Sequence, residues 1–280
     1  MNVILAPGYL GFSAPGFQYF NGVEAFLEAR YPVKVVTTQV NLVQGVEYRG
    51  RELRRQALIA LGEEPPATPE EQRIAGRLDP SQPLHLVAHS MGSLDCRFLI
   101  SPGYPDNLGA RVATLTTIGG PHRGTPAADL LYADLEGQDL PELEKLVAAA
   151  VRDLLKLLSI PVDGLADLRT EWVAEFNTKY ADHPDVRYFS HAGSGWATGP
   201  HTSEALLFTW RYIHEKTGEV NDGAVPVSSA QWGEFDPDLW PADHAGLIGH
   251  DLNHCGEKPP GFDYLARYAS IVERLLAEHP

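Results

Sequence analysis

Around Ser90 the sequence passes from strand to helix with no room for a loop between them. Pro83-Leu84-His85-Leu86-Val87-Ala88 is an apolar run of strand length, and Ser93-Leu94-Asp95-Cys96-Arg97-Phe98-Leu99 reads as a helix beginning directly after it. The intervening His89-Ser90-Met91-Gly92 must make the turn, and the small Ala88 and Gly92, two positions either side of Ser90, leave space for it. A strand feeding a helix this tightly is a βα unit, and the first 120 residues repeat the theme. Val3-Ile4-Leu5, Val33-Lys34-Val35-Val36-Thr37 and Ala113-Thr114-Leu115-Thr116-Thr117-Ile118 are further strands, and Val46 to Leu61 is a helix rich in Arg and Leu. Glu63-Glu64-Pro65-Pro66-Ala67-Thr68-Pro69 then reads as a turn or exposed loop, because Pro fixes φ and donates no hydrogen bond. The fold class expected is α/β, with a mostly parallel central sheet and helices on both faces.

At 280 residues and 44% hydrophobic content the chain can bury a large core, and one domain over residues 1–280 is the simplest division. Its middle changes character. From Glu142 to Leu158 the apolar residues Leu143, Leu146, Val147, Ala150, Val151, Leu154 and Leu158 follow the spacing of one helix face. A helical insertion over about 125–180 is expected, either packed on the body or acting as a lid above a substrate site. Strand pattern returns at Val186-Arg187-Tyr188-Phe189-Ser190, and Asp263 to Leu276 reads as a closing helix.

Thirty-seven acidic against 22 basic side chains leave a formal charge of −15, which repels phosphate backbones and argues against a nucleic-acid partner. Cys96 and Cys255 are too few for a disulfide framework or a Cys-rich zinc site. One bridge between them stays open, with Cys96 the better fit to a small core residue. No apolar stretch reaches the roughly 18 residues of a membrane span, and Met1 to Ala6 lacks the pattern of a signal peptide. The chain as given reads as soluble and cytoplasmic, or as secreted if a leader was trimmed; oligomeric state leaves no trace in the composition.

A hydroxyl nucleophile has to project clear of the backbone, and a sharp strand-turn-helix, the nucleophile elbow of the α/β-hydrolase fold, does this at some cost in strain. Ser90 is the candidate nucleophile. The Met91 N–H, near the helix N-terminus, can face a developing oxyanion. A second oxyanion donor is expected from the glycine-rich Ala6-Pro7-Gly8-Tyr9-Leu10-Gly11-Phe12, with Tyr9 the leading candidate. In this fold the acid and then the base follow the serine along the chain, so His85, His89 and His122 are poor bases, the last two better placed to line or support the site. Asp222, on the Asn221-Asp222-Gly223 turn, is a candidate acid because such a turn holds a carboxylate rigidly. Asp182, Asp185, Asp236, Asp238 and Asp243 compete on chain order. The later histidines are His244, His250, His254 and His279.

Several blocks in fixed order extend this reading: Gly8-Tyr9-Leu10-Gly11, the elbow, Thr117-Ile118-Gly119-Gly120-Pro121-His122-Arg123-Gly124-Thr125, Phe176-Asn177-Thr178-Lys179-Tyr180 with Tyr188-Phe189-Ser190, Asn221-Asp222-Gly223, and Asp243-His244. Together they resemble the bacterial triacylglycerol lipases, the true lipases of the α/β-hydrolase superfamily. The resemblance implies a Ser90-Asp222-His244 triad and oxyanion N–H groups from Tyr9 and Met91. It also implies a serine carboxylic-ester hydrolase, a lipase or esterase, that forms an acyl-enzyme intermediate. His250 and His254 remain rivals for the base.

The chain also departs from the family. Pro7-Gly8 stands where His-Gly is common, and Ala88 where the elbow commonly begins with Gly. The family's structural calcium uses an Asp two positions after the base; that position is Gly246 here, which counts against, without excluding, a calcium of that kind. Asp251 could bind one elsewhere. No other cofactor is expected. The expected substrate is a small-molecule or lipid ester with an apolar acyl part, triacylglycerols and aliphatic polyesters included, received by a cleft to which Phe12, Phe17, Tyr19 and Phe20 contribute. A thioesterase or amidase on the same fold, or a catalytically silent binding protein, are the alternatives.

Overall fold

The computed structural model describes residues 1–9, 18–41, 44–157, 162–195, 203–252 and 262–278, apart from the side chains at 154, 156, 157 and 163. In chain order the elements are β1 (Asn2–Ala6), α1 (Val23–Arg30), β2 (Lys34–Thr37), α2 (Val46–Ala60), α3 (Pro69–Ile74), β3 (Leu84–His89), α4 (Gly92–Ile100), β4 (Val112–Ile118), α5 (Pro126–Leu135), α6 (Glu142–Leu157), α7 (Thr170–Lys179), β5 (Arg187–His191), α8 (Glu204–Thr217), α9 (Val227–Ala230), β6 (Glu234–Phe235) and α10 (Tyr264–Glu278). The strands form one parallel sheet in the order β2-β1-β3-β4-β5-β6. This is the α/β class with a parallel central sheet expected from the alternating pattern.

Both faces of the sheet are covered, which is why its central strands read as continuous apolar runs rather than alternating ones. Ile4, Ala6, Leu86, Ala88 and Leu115 pack toward Leu53, Ala57, Ile74 and Leu99 of α2, α3 and α4. The neighbouring positions Val3, Leu5, Val35, Val87 and Ile118 point the other way, to Val23 and Leu27 of α1 and to Tyr268 and Val272 of α10. Cys96 is a free, buried thiol in the first layer; Cys255 lies outside the described residues.

The chain runs from β1 to one side as β2 and returns to β1's other side as β3, so the winding reverses between β1 and β3. In open α/β sheets a crevice opens beyond the strand C-termini at such a point. The loop after β1 and the turn after β3, the two glycine-bearing segments singled out in the sequence, both emerge there.

Between β4 and β5 lie α5, α6, a 3-10 turn at Asp163–Leu168, and α7. Leu130, Val147 and Ala148 of α5 and α6 pack with Tyr212 and Ile213 of α8, while Val173 and Phe176 of α7 pack with Leu94 and Phe98 of α4. On α6, Leu143 and Leu146 stay 60% and 68% exposed. No helix of the described residues is long and apolar enough to cross a membrane.

One local expectation needs correction. The proline-rich stretch is not loop to its end: Pro69 opens α3. Thr68 caps it, its Oγ1 accepting the Glu71 N–H at 3.1 Å, while the Glu71 carboxylate accepts the Ala67 N–H. Proline at the first helical position gives up an N–H that has no partner inside the helix in any case.

Candidate active site

Ser90 sits between the end of β3 and the start of α4 with φ at 55°, the only positive φ outside glycine among the described residues. That strain is held from two sides. The Ser90 N–H donates to the Ile118 carbonyl at 3.1 Å, tying the turn to β4. The loop after β1 presses against it so closely that a Cβ on Gly8 would lie 2.5 Å from Ser90 Cβ, and one on Gly92 2.6 Å from the carbonyl oxygens of Ala6 and Pro7. Only glycine fits either place.

Asp222 takes its orientation from its own turn. Its Oδ1 accepts the N–H groups of Ala224 at 2.9 Å and Val225 at 2.7 Å, which leaves Oδ2 for a partner across the site. That partner is Nδ1 of His244, at 2.7 Å, and the His244 backbone N–H also donates to the Asp222 carbonyl at 2.7 Å. His244 Nε2 then lies 2.8 Å from Ser90 Oγ. With Nδ1–H donating to Asp222, the neutral ring leaves Nε2 to accept the hydrogen bond of the Ser90 hydroxyl. The three side chains form one hydrogen-bonded chain, each less than 10% exposed.

The His244 loop is anchored by its neighbour. Asp243 is buried, and its two oxygens accept the N–H groups of Ser203 at 2.6 Å and Gly246 at 2.8 Å; burial raises its carboxyl above the ordinary range. Asp243, a rival acid on chain order, thus faces backbone rather than the histidine ring. The other rivals lie elsewhere: Asp182 accepts from Trp232 Nε1 at 2.9 Å, Asp236 lies 3.4 Å from His191 Nδ1, and Asp238 pairs with Arg267. His183 Nδ1 lies 4.0 Å from Asp185.

His89 packs its ring 4.5 Å from that of His244, and its Nδ1 is 2.8 Å from Tyr19 Oη. Burial, with His244 alongside, drives its pKa far below the usual histidine value, so it adds no positive charge beside the His244 ring. His122 is also buried, 3.0 Å from Thr117 Oγ1 and stacked on Trp232, and is held neutral by burial and by Arg97 and Arg123 nearby. His85 pairs with Thr114 inside the sheet. His250 turns Nε2 toward the carbonyls of Gln18 and Tyr19, each at 3.0 Å. His254 and His279 lie outside the described residues.

The two candidate oxyanion residues meet in one buried cluster. Met91 caps α4, where first-turn N–H groups have no partner within the helix. Tyr9 follows Gly8, and its Oη accepts the Gly164 N–H at 3.1 Å from the 3-10 turn ahead of α7. Of the aromatics expected at an apolar cleft, Tyr19 and Phe20 line a cavity beside Pro7 and Gly8, Phe20 also packing edge-on to Tyr268 and Tyr19 bonding to His89, while Phe12 and Phe17 lie outside the described residues. Among the described residues no group of three or more His, Cys, Asp or Glu side chains is arranged to hold a metal ion. Sequence reasoning missed the anchoring part of Asp243 and the Tyr19–His89 contact, which no local motif signals.

No protein-family model matches the chain. It is 31% identical over 232 residues to triacylglycerol lipase 2 of Saccharomyces cerevisiae, an alignment covering 82% of this chain and 62% of the yeast protein. The chain therefore spans less than two thirds of that relative's length. It is 26% identical over 279 residues to the triacylglycerol lipase of Vibrio cholerae, covering 89% of this chain and 81% of that one. Among solved structures, Staphylococcus hyicus lipase superposes with a TM-score of 0.66 at 18% identity, over 99% of this chain and 95% of that one, a likeness of fold.

Proposed function

We propose that this chain, similar to the triacylglycerol lipases of yeast and Vibrio and alike in fold to Staphylococcus hyicus lipase, is a carboxylic ester hydrolase with a Ser90-His244-Asp222 mechanism acting on esters with an apolar acyl part. The observation that carries this reading is the unbroken hydrogen-bonded chain from Asp222 through His244 to Ser90 on a strained elbow. His244 accepts the Ser90 proton as Oγ attacks the ester carbonyl. Asp222 holds the imidazole in the tautomer that leaves Nε2 free to accept. The N–H groups of Met91 and Tyr9 receive the oxyanion of the tetrahedral intermediate. Its collapse expels the alcohol with the proton returned from His244, and water repeats the steps to release the acid. No cofactor takes part.

Triacylglycerols are the substrate class named for the yeast and Vibrio relatives, and we extend it to this chain together with aliphatic polyesters. We assign a lid role to α6, whose exposed Leu143 and Leu146 offer apolar surface to an aggregated substrate. It should appear as a jump in rate once substrate passes its solubility limit.

The test is the acyl-chain profile of p-nitrophenyl ester hydrolysis by wild type beside Ser90→Ala, with a fluorophosphonate probe on both. Wild type should turn over the esters and take the label at Ser90, and the variant should do neither. An unlabelled wild type would sink the reading.

A further inference from the structure

Behind the loop after β1 lies a charged pair with no part in the proposed chemistry. Arg49 on α2 and Asp95 on α4 are both buried, Arg49 completely, and Arg49 Nη2 lies 2.7 Å from Asp95 Oδ2. Nε donates to the same oxygen at 2.9 Å. The rest of the guanidinium reaches backbone: Nη2 to the Pro7 carbonyl and Nη1 to the Asn41 carbonyl, each at 3.1 Å. Asp95 Oδ1 has no hydrogen-bond partner among the described residues, and burial pushes the carboxyl up to about 6 against the pull of Arg49. Replacing such a pair by apolar residues of similar volume is often neutral or stabilising, so stability has a weak claim on it.

What the pair reaches is the peptide just ahead of the candidate oxyanion donor. Pro7 has no N–H and a φ fixed by its ring, so its carbonyl is its sole hydrogen-bonding handle. That carbonyl lies between the Arg49 guanidinium and the start of α4, where Gly92 makes room for it. Asp95 is on α4 itself, five residues after Ser90. The guanidinium therefore bridges the helix that follows the nucleophile and the loop that carries Tyr9. Those are the two segments whose relative position decides where the Met91 and Tyr9 N–H groups point.

We infer that Arg49 is a positioning residue for the oxyanion hole, holding the Pro7 carbonyl against α4 through its pair with Asp95. The inference rests on the Ser90 mechanism above.

The experiment compares wild type with Arg49→Met/Asp95→Leu and Arg49→Lys on a p-nitrophenyl ester and the matching thionoester. Sulfur is a larger and poorer hydrogen-bond acceptor than oxygen, so well-aimed N–H groups favour the oxoester and misaimed ones lose that preference. The double variant leaves no charge buried alone and should melt no lower than wild type. Its kcat on the ester should fall about 100-fold with KM changed less than about three-fold, and the ester-to-thionoester rate ratio should fall about ten-fold. Arg49→Lys keeps a cation for Asp95, but a point charge cannot serve the carboxylate and both carbonyls at once, so it should lie between. A folded double variant with wild-type kcat and ratio, or one that loses both substrates equally, overturns the inference. If the double variant does not fold, the ratio in Arg49→Lys decides by the same criterion. A wild type that neither hydrolyses esters nor takes the label at Ser90 marks instead the failure of the underlying mechanism, and this inference falls with it.

Discussion

The two sides of the candidate site are held by different means. On the acid–base side the carboxylates take most of their hydrogen bonds close to home: Asp222 from the N–H groups of Ala224 and Val225, Asp243 from that of Gly246, with the His244 ring and Ser203 as the more distant donors. On the oxyanion side the loop after β1 is gripped from far along the chain, by an Arg49 that is 42 residues from Pro7 and 46 from Asp95. A turn that supplies its own hydrogen bonds fixes a side chain's direction. A remote guanidinium fixes one backbone segment against another. Substitutions on the first side should therefore change proton chemistry, and those on the second should change geometry.

Of the substitutions that leave Ser90 and His244 in place, Asp222→Asn is expected to have the largest effect. The amide oxygen can still accept from Ala224 and Val225, but its NH2 then faces His244 Nδ1 and selects the tautomer with the proton on Nε2. That nitrogen can no longer accept from Ser90. The expected fall in kcat is about 10⁴-fold with an unchanged melting temperature. Activity within ten-fold of wild type would exclude Asp222 as the orienting acid.

Gly8→Ala attacks the other side. The new methyl would sit 2.5 Å from Ser90 Cβ and 2.9 Å from the His89 carbonyl, neither of which is the movable end of a long side chain. The loop must lift off the elbow and carry Tyr9 with it. A kcat loss of about 10²–10³-fold is expected from the loss of one oxyanion donor. The pH profile should keep its shape, since the histidine and its acid are untouched. A shifted profile would mean that the two sides are not independent.

The same contrast explains how far the sequence could be read. The sheet was legible because strands buried on both faces leave unbroken apolar runs, and Val3-Ile4-Leu5, Leu86-Val87-Ala88 and Leu115 to Ile118 all fall within observed strands. The elbow was legible for a local reason, a strand meeting a helix at one residue. Asp222 stood out because Asn-Asp-Gly is a turn with its own chemistry, while its adjacency to His244 rested on family resemblance and not on any spacing. Arg49 was invisible: in a helix already rich in arginine nothing marks the one that is fully buried. Pro69 misled because proline reads as a breaker unless the Thr68 cap and Glu71 are weighed with it.

A smaller effect, on stability, separates the buried pair from its surroundings. The Asp95 carboxyl lies at about 6 in the folded chain against an ordinary 3.8. Between those values the folded state holds a proton that the unfolded state has released, so stability falls as pH rises through the window and stays lower above it. Arg49→Met/Asp95→Leu lacks the group. Its advantage over wild type in denaturant unfolding should grow by up to about 3 kcal/mol from roughly pH 4 to pH 6 and then level off. A gap that does not vary with pH would mean that Asp95 binds no proton there.

The smallest effect is expected at His250, and it tests the choice of base. His250 follows His244 closely on the same polar loop, so by sequence alone the two compete. Its Nε2 is engaged with the carbonyls of Gln18 and Tyr19, where a ring nitrogen must donate, and burial lowers its pKa. A nitrogen spent on two carbonyls is not available to take a proton from Ser90. His250→Ala should keep kcat within about three-fold of wild type, whereas His244→Ala should abolish turnover. The residual loss has a direction too: His250 belongs to the acid–base loop but grips backbone next to Tyr19, which leans on His89. Loosening it should weaken the ester-to-thionoester preference before it moves the pH profile, and the reverse order would place His250 on the proton path.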